Sequence, residues 1–420
     1  MAEEFVPSPK FLERMKLFTD TVECKKTDRI PLAPMIMYLP IYLYGLTNVH
    51  DVMVNYANAE ESFLRFHEEY QPDLSWGPQA VFPGPHLELL GCNYINMPGV
   101  QIPDPNAAFQ VVDNEDGYMD AEEYLEFAED PTGFVMKKIL PRHYSALKPL
   151  EMIDFSTMIW QSGCYGMIPF AIPPVQEMFG KMAQAGGMMM QTAQAGGAIM
   201  GKLAGMGFPN ACDGCFDSPF DVFNDTLRGF MNASMDMLEY PDEMLVAIKA
   251  ITKINNRKIR ASFAQNPWQK TMVCYIHNGF DSFMSREQFE TFYWPGLLEA
   301  IKTVIDCGGI PRLYIEDKYD MKLDIIARDL PANKCIVTLI NCDVEKAKKL
   351  FKGKVCIDGG LNGVLLQHGT PEDVVKNVKE VVDVWAEGGG FILNADVSLD
   401  LAKEENLKAL YYTARDYMNY

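Results

Sequence analysis

The sequence lacks any uncharged apolar run of the roughly 18 residues that a membrane helix requires. The nearest approach, 182–200, is interrupted by glutamines and four glycines. Cations are scarce: 37 Lys and Arg stand against 57 Asp and Glu, a net charge of −20. Such a field repels phosphate backbones and anionic bilayers, so neither nucleic acid nor a membrane is an expected partner. Cysteine is sparse, since ten in 420 residues are too few for a disulfide scaffold. Residues 1–10 carry acids and prolines rather than a basic stretch followed by an apolar one. A cytoplasmic protein with reduced thiols is the expectation. Glycine-rich phosphate turns are also missing: neither G-x-G-x-x-G nor G-x-x-x-x-G-K-[ST] occurs, which removes the usual nucleotide site of an open doubly wound sheet.

What is present is an ordinary globular composition, 48% hydrophobic and 22% charged, in a chain long enough to bury a large core. One short echo, Ala-Gln-Ala-Gly-Gly at 183–187 and 193–197, has too few copies to specify a repeat fold. The second half alternates β-like runs with helical stretches: 272–278 then 285–306, 311–316 then 321–329, 334–342 then 344–351, 354–359 then 371–386, and 391–397 then 403–417. Five successive strand–helix units predict a parallel sheet with right-handed crossovers. Without a phosphate turn, a closed single-domain (β/α)8 barrel over 1–420 is favoured. Two or three further strands are sought, with candidates at 30–38 and 73–76 and a third near 211–216, and about 90–171 is expected as an insertion over the mouth.

In such a barrel strand residues alternate between lumen and helical layer, and chemistry gathers at the C-terminal strand ends. In 312–316, Arg312, Tyr314 and Glu316 share one face, with Leu313 and Ile315 on the other. In 391–396, Asn394 and Asp396 share a face at the strand end; two other strands end at Asp358 and at His277, followed by Asn278. Ionisable residues at four strand ends describe a catalytic mouth. Tyr314 also fits a half-buried barrel aromatic with its hydroxyl satisfied. Cys212 and Cys215 have C-x-x-C spacing, but no second ligand pair follows, and coincidence is the plainer account. The methionine-rich 182–206 is expected to pack on the barrel or to form a pliable apolar wall. His50, His67 and His143 are expected to be structural, and His86 with Glu88 is a weaker site candidate.

The run Gly279-Phe280-Asp281-Ser282-Phe283-Met284-Ser285 leading to Gln288-Phe289 and Tyr293-Trp294-Pro295, with Gly388-Gly389-Gly390-Phe391-Ile392-Leu393 and Glu405-Asn406-Leu407-Lys408-Ala409, resembles the uroporphyrinogen decarboxylase superfamily. Asp28-Arg29-Ile30-Pro31, and the segment from Asp130-Pro131 to Pro141-Arg142, fit the same resemblance. It implies a (β/α)8 barrel and one of two activities, porphyrinogen decarboxylation or corrinoid-dependent methyl transfer. The arginines with which the family's decarboxylases meet their substrate's carboxylates are replaced by 35–40, Met-Ile-Met-Tyr-Leu-Pro, which removes bidentate donors. By position, the His-x-Cys and Cys zinc ligands of the thiol-methylating branch correspond to Tyr314, Glu316 and Asp396, all oxygen donors.

The resemblance therefore implies a methyltransferase that takes a methyl group from a small methylated, notably methoxylated, substrate. No D-x-H-x-x-G signature is present, so the corrinoid is expected on a separate protein. The acid or Lewis acid at the leaving group is expected from Glu316, Tyr314 and His277, with Glu316 chosen on the expectation that it is buried beside Tyr314. Arg312, Asn394, Asp358 and Asn278 are expected to bind substrate. Glu316, Asp396 and His277 are the expected ligands of zinc or another divalent metal, should one be held. The alternative is a decarboxylase of a smaller acid, with Arg312 on its carboxylate; a homodimer is compatible with either.

Overall fold

Five parallel strands form the sheet that positions everything else. The computed structural model describes residues 5–418 apart from 79–80, 113, 115–116, 160–162 and 267. A small antiparallel pair, β1 (Ile95–Asn96) and β2 (Gln110–Val111), precedes the main strands β3 (Thr271–Ile276), β4 (Ile310–Ile315), β5 (Ile336–Leu339), β6 (Cys356–Leu361) and β7 (Phe391–Ala395). The main sheet has order β3-β4-β5-β6-β7. Sequential neighbours in a parallel sheet require a crossover between each pair. Those crossovers are the helices Trp294–Asp306, Leu323–Asp329, Val344–Phe351 and Pro371–Trp385, and Glu404–Tyr417 follows β7.

The strands are buried on both faces, as a sheet covered by helices demands. Leu313 and Ile315 of β4 are at most 1% exposed, yet Arg312 and Tyr314 on the opposite face are buried as well. At roughly 1.5–3 kcal/mol for each large aliphatic removed from water, the outward face of each strand fixes its register against the helices.

Beyond the five strands, backbone hydrogen bonds continue from both sheet edges. At the β7 edge, Ala33 N–H donates to Leu393 O at 3.0 Å and Leu393 N–H to Pro31 O at 2.9 Å. Asp73 N–H then donates to Leu32 O, Ser75 N–H to Pro209 O, and Ala211 N–H to Ser75 O. At the β3 edge, Phe216 N–H donates to Val273 O and Val273 N–H to Gly214 O, both at 2.9 Å. The three strands expected at 30–38, 73–76 and 211–216 are therefore single parallel bridges rather than extended ladders. Side chains and prolines take the place of ladder bonds. Pro31 and Pro34 carry no N–H, the Asp73 carboxylate accepts from Leu32 N–H at 2.9 Å, Trp76 Nε1–H donates to Ala33 O, and Asn394 Oδ1 accepts from Met35 N–H.

Two further findings concern the first half. The methionine-rich segment is one 33-residue helix, Pro173–Gly205, whose buried residues Val175, Met178, Ala185, Thr192, Gly196, Ile199 and Leu203 follow helical spacing. It packs on the outer helices, including Pro85–Leu90 and Glu60–Tyr70, and does not border the cavity described below. From 90–171, short helical turns surround the β1–β2 pair, and of these residues Phe109 alone borders that cavity among those described. Among the described residues no helix is long and apolar enough to cross a membrane.

Candidate active site

At the C-terminal ends of the strands lies a cavity of ≈ 930 Å³. Met35, Met37, Trp76, Phe82, Phe109, Tyr275, Tyr314, Ile340 and Val397 give it an apolar wall, and His277, Glu316, Asp317 and Asp396 give it a polar rim. The rim follows from register. Ile276 of β3 pairs with Ile315 of β4, so the next residues, His277 and Glu316, emerge side by side. Glu316 N–H extends the ladder to Ile276 O at 3.0 Å. Asp317 then turns the chain away at φ +67°, a left-handed conformation that Asp tolerates better than most residues.

His277 bridges two carboxylates. Its Nδ1 stands 3.3 Å from Glu316 Oε2 and its Nε2 2.9 Å from Asp225 Oδ2. Asp225 is held in turn by Asn278 Nδ2–H at 2.7 Å and Asn224 Nδ2–H at 2.9 Å. Behind it, buried Asp221 accepts from Asn278 N–H at 3.1 Å and from the Tyr293 hydroxyl at 2.6 Å. Burial alone would lower the His277 pKa, but the hydrogen bonds to Asp225 and Glu316 and the nearby Asp221 charge outweigh it and push it up to about 11. The ring is an imidazolium at neutral pH. Burial pushes Asp221 up to about 6, against the opposing charge of His277.

The structure brings together only part of the expected site. Tyr314, His277, Glu316 and Asp396 all border the cavity. Glu316, however, has a side chain 42% exposed and paired with His277, so the burial expected for it beside Tyr314 is absent. Tyr314 donates its hydroxyl to the Asp396 backbone carbonyl at 3.0 Å and packs against Tyr275 in a tilted pair with ring centroids 5.5 Å apart, which makes it wall rather than proton donor. Asp396 turns its carboxylate to Gly363 N–H at 2.8 Å, and burial raises its pKa. The expected metal set of His277, Glu316 and Asp396 does not assemble. Among the described residues no group of three or more His, Cys, Asp or Glu is placed to hold a metal ion. Both nitrogens of His277 are already committed to carboxylates, so the donor set does not fit zinc or another divalent ion.

The expected substrate ligands need a larger correction. Arg312, Asp358 and Asn394 are wholly buried and lie outside the lining of the cavity. Arg312 donates to Asp358, which Thr338 Oγ1 also meets at 3.3 Å, while Asn394 accepts backbone N–H groups of Met35 and Ala395. Alternation told which face these residues occupy but not their depth, and a guanidinium in the packed lumen must be paired with a carboxylate. Asn278 also misses the main cavity. With Asp225 and Asn224 it lines a second groove of ≈ 400 Å³ that meets the first at His277.

Elsewhere, His67 and His143 are buried on backbone carbonyls, and burial pushes both down to about 4. His86 meets the Tyr144 hydroxyl at 3.4 Å while Glu88 lies 3.7 Å from His50, so the expected His86–Glu88 pair does not form. Sequence reasoning missed Asp221 and Asp225. Their one signal is the i, i+4 spacing, which sets two acids on one helical face.

Residues 211–417 match the family model described as Uroporphyrinogen decarboxylase (URO-D). No curated protein matches. Among solved structures, a methyltransferase from Methanosarcina mazei aligns with TM-score 0.61 and 14% identity, covering 96% of this chain and 98% of its own. A B12-independent methionine synthase from Shewanella sp. W3-18-1, in complex with selenomethionine, aligns with TM-score 0.34 and 15% identity over 48% of this chain and 60% of its own.

Proposed function

Because this chain belongs, through residues 211–417, to the uroporphyrinogen decarboxylase superfamily, we propose that it is a corrinoid-dependent methyltransferase. Its substrate is small and methoxylated, and the methyl group passes to a corrinoid held by a separate protein. For the scaffold, the edge hydrogen bonds at 31–33, 73–75 and 209–216 supply three further positions, and with the five strands they support an eight-position ring of the (β/α)8 type.

One observation carries the functional reading. The described residues lining the cavity include four acids, Asp213, Glu316, Asp317 and Asp396, and neither Lys nor Arg. A polycarboxylate such as a porphyrinogen would meet like charges and no guanidinium. The decarboxylase alternative also loses its carboxylate ligand, since Arg312 is paired with Asp358. A neutral aryl ether suits the remaining wall of methionines and aromatics.

A corrinoid brought by its own protein would supply the nucleophile for the methyl carbon. The chain's own groups do the rest. Trp76, Phe82, Phe109 and Tyr275 hold the substrate's apolar body and exclude water. The leaving oxygen must be protonated as the C–O bond breaks, and the Glu316–His277 pair at the rim carries a proton through the neutral range. Asp225 keeps the imidazolium oriented behind Glu316. Because His277 has both nitrogens engaged, these residues suit proton delivery rather than cobalt ligation, in keeping with a corrinoid carried elsewhere.

The test supplies free cob(I)alamin and a panel of methoxylated aromatics. Consumption of cob(I)alamin matched by release of the phenol is expected, and Glu316→Gln should slow it about 10²-fold while changing substrate affinity far less. Unaltered turnover in that variant would remove Glu316 from the proton path. Release of carbon dioxide from small acids, without demethylation of any donor, would sink the methyltransferase reading.

A further inference from the structure

Cys212 and Cys215, whose spacing alone looks accidental, both border the cavity, whereas Cys274, Cys335 and Cys356 are buried in strands or beside them. Their turn is fastened on both sides. Asp213 Oδ2 accepts from Lys270 N–H at 2.8 Å and Thr271 N–H at 3.0 Å, Asn210 Nδ2–H donates to Cys212 O at 2.6 Å, and Gly214 and Phe216 bond to Val273 in β3. Within this frame the Cys212 thiol donates to Gly214 O at 3.3 Å. Cys215 is exposed and Cys212 half-buried.

We propose that Cys212 and Cys215 form a reactive dithiol in the cavity wall, a site whose substrate class is the small disulfide. Two thiols on one fastened turn can close a disulfide without unfolding, and the open cavity admits a reagent of that size. The proton arrangement assigns the roles. A Cys215 thiolate would accept the Cys212 proton, which pulls the Cys215 thiol below its ordinary value with help from Lys258, while the same coupling and burial push Cys212 up.

Cys215, as thiolate, attacks one sulfur of the external disulfide and expels the first thiolate, which takes up the proton that Cys215 released. Cys212 then loses its proton and attacks the Cys215 sulfur of the mixed disulfide, and the second thiolate leaves and is protonated. Two electrons pass from the cysteine pair to the external disulfide. The products are one internal Cys212–Cys215 bond and two free small thiols. This site does not depend on the methyltransferase reading.

The experiment treats the full, reduced chain with 2,2′-dipyridyl disulfide and follows thione release, intact mass and non-reduced peptide maps. Expected in the unaltered chain are about two thiones per site, a mass lower by about 2 Da and a linked Cys212–Cys215 peptide, with no pyridyl adduct retained there. Cys212→Ser should trap the adduct on Cys215, and Cys215→Ser should slow the first step by about 10-fold or more. A stable adduct on Cys215 in the unaltered chain would overturn the proposal. So would reaction confined to exposed Cys164 in a chain that folds normally, and the trapping variant separates that outcome from simple misfolding.

Discussion

His277 satisfies two carboxylates at once, and its titration should report both. Replacing Asp225 with Asn removes the partner on Nε2 and leaves Glu316 on Nδ1. The His277 pKa, held near about 11, should then fall by roughly 1–3 units, as read by NMR of the imidazole. The pH dependence of stability has a fixed sign. A histidine raised in the folded state contributes fully below its unfolded value, near 6.5, and that contribution disappears as the pH rises through about 11. His277→Gln should flatten urea-denaturation free energies across that window; an unchanged slope would mean that the bridge does not form in solution. His277 and Glu316 were legible in the sequence because both follow a clear strand and parallel pairing puts strand ends together. Asp225 was not, because it comes from a helical segment 52 positions earlier, with no local feature tying it to β3.

The helix Pro173–Gly205 is an element that periodicity did not mark out. Its glycines hid a helix, since glycine costs roughly 1 kcal/mol relative to alanine in a helix interior. Tertiary packing of one face overrides that cost, with Thr192 Oγ1 donating to Val54 O at 2.9 Å among buried aliphatics. A Cβ added at Gly186, Gly187 or Gly197 meets nothing within 4 Å. Each Gly→Ala there should raise stability by about 0.5–1 kcal/mol, measured as a higher urea midpoint at constant slope. Gly279→Ala should do the opposite, because its Cβ would lie 2.9 Å from both Phe289 and Tyr319. If the helix substitutions are neutral or harmful, the outward face is covered in solution.

For the whole molecule the governing quantity is the net charge of −20. Contact pairs such as Arg29–Asp73 at 2.6 Å lie well inside a Debye length of about 8 Å at physiological salt, whereas repulsion among the excess acids acts over longer distances. Added salt therefore screens the repulsion more than the pairs. The melting temperature should rise between about 0.01 M and 0.15 M sodium chloride, checked by calorimetry at neutral pH. A fall would show that surface pairs outweigh self-repulsion.

The sequence by itself determined the strand–helix order of the second half, the parallel sense of its sheet and the faces on which His277, Glu316 and Asp396 emerge. Those follow from local periodicity and from chirality of connection, which each segment carries within itself. Tertiary structure alone decided depth and partnership. It put Arg312 on Asp358 in the core rather than on a ligand, set Asp225 against His277, and brought 212–215 to the same cavity as β3 and β4. Burial and pairing depend on which distant segments close over a position, and alternation within one strand carries no information about them.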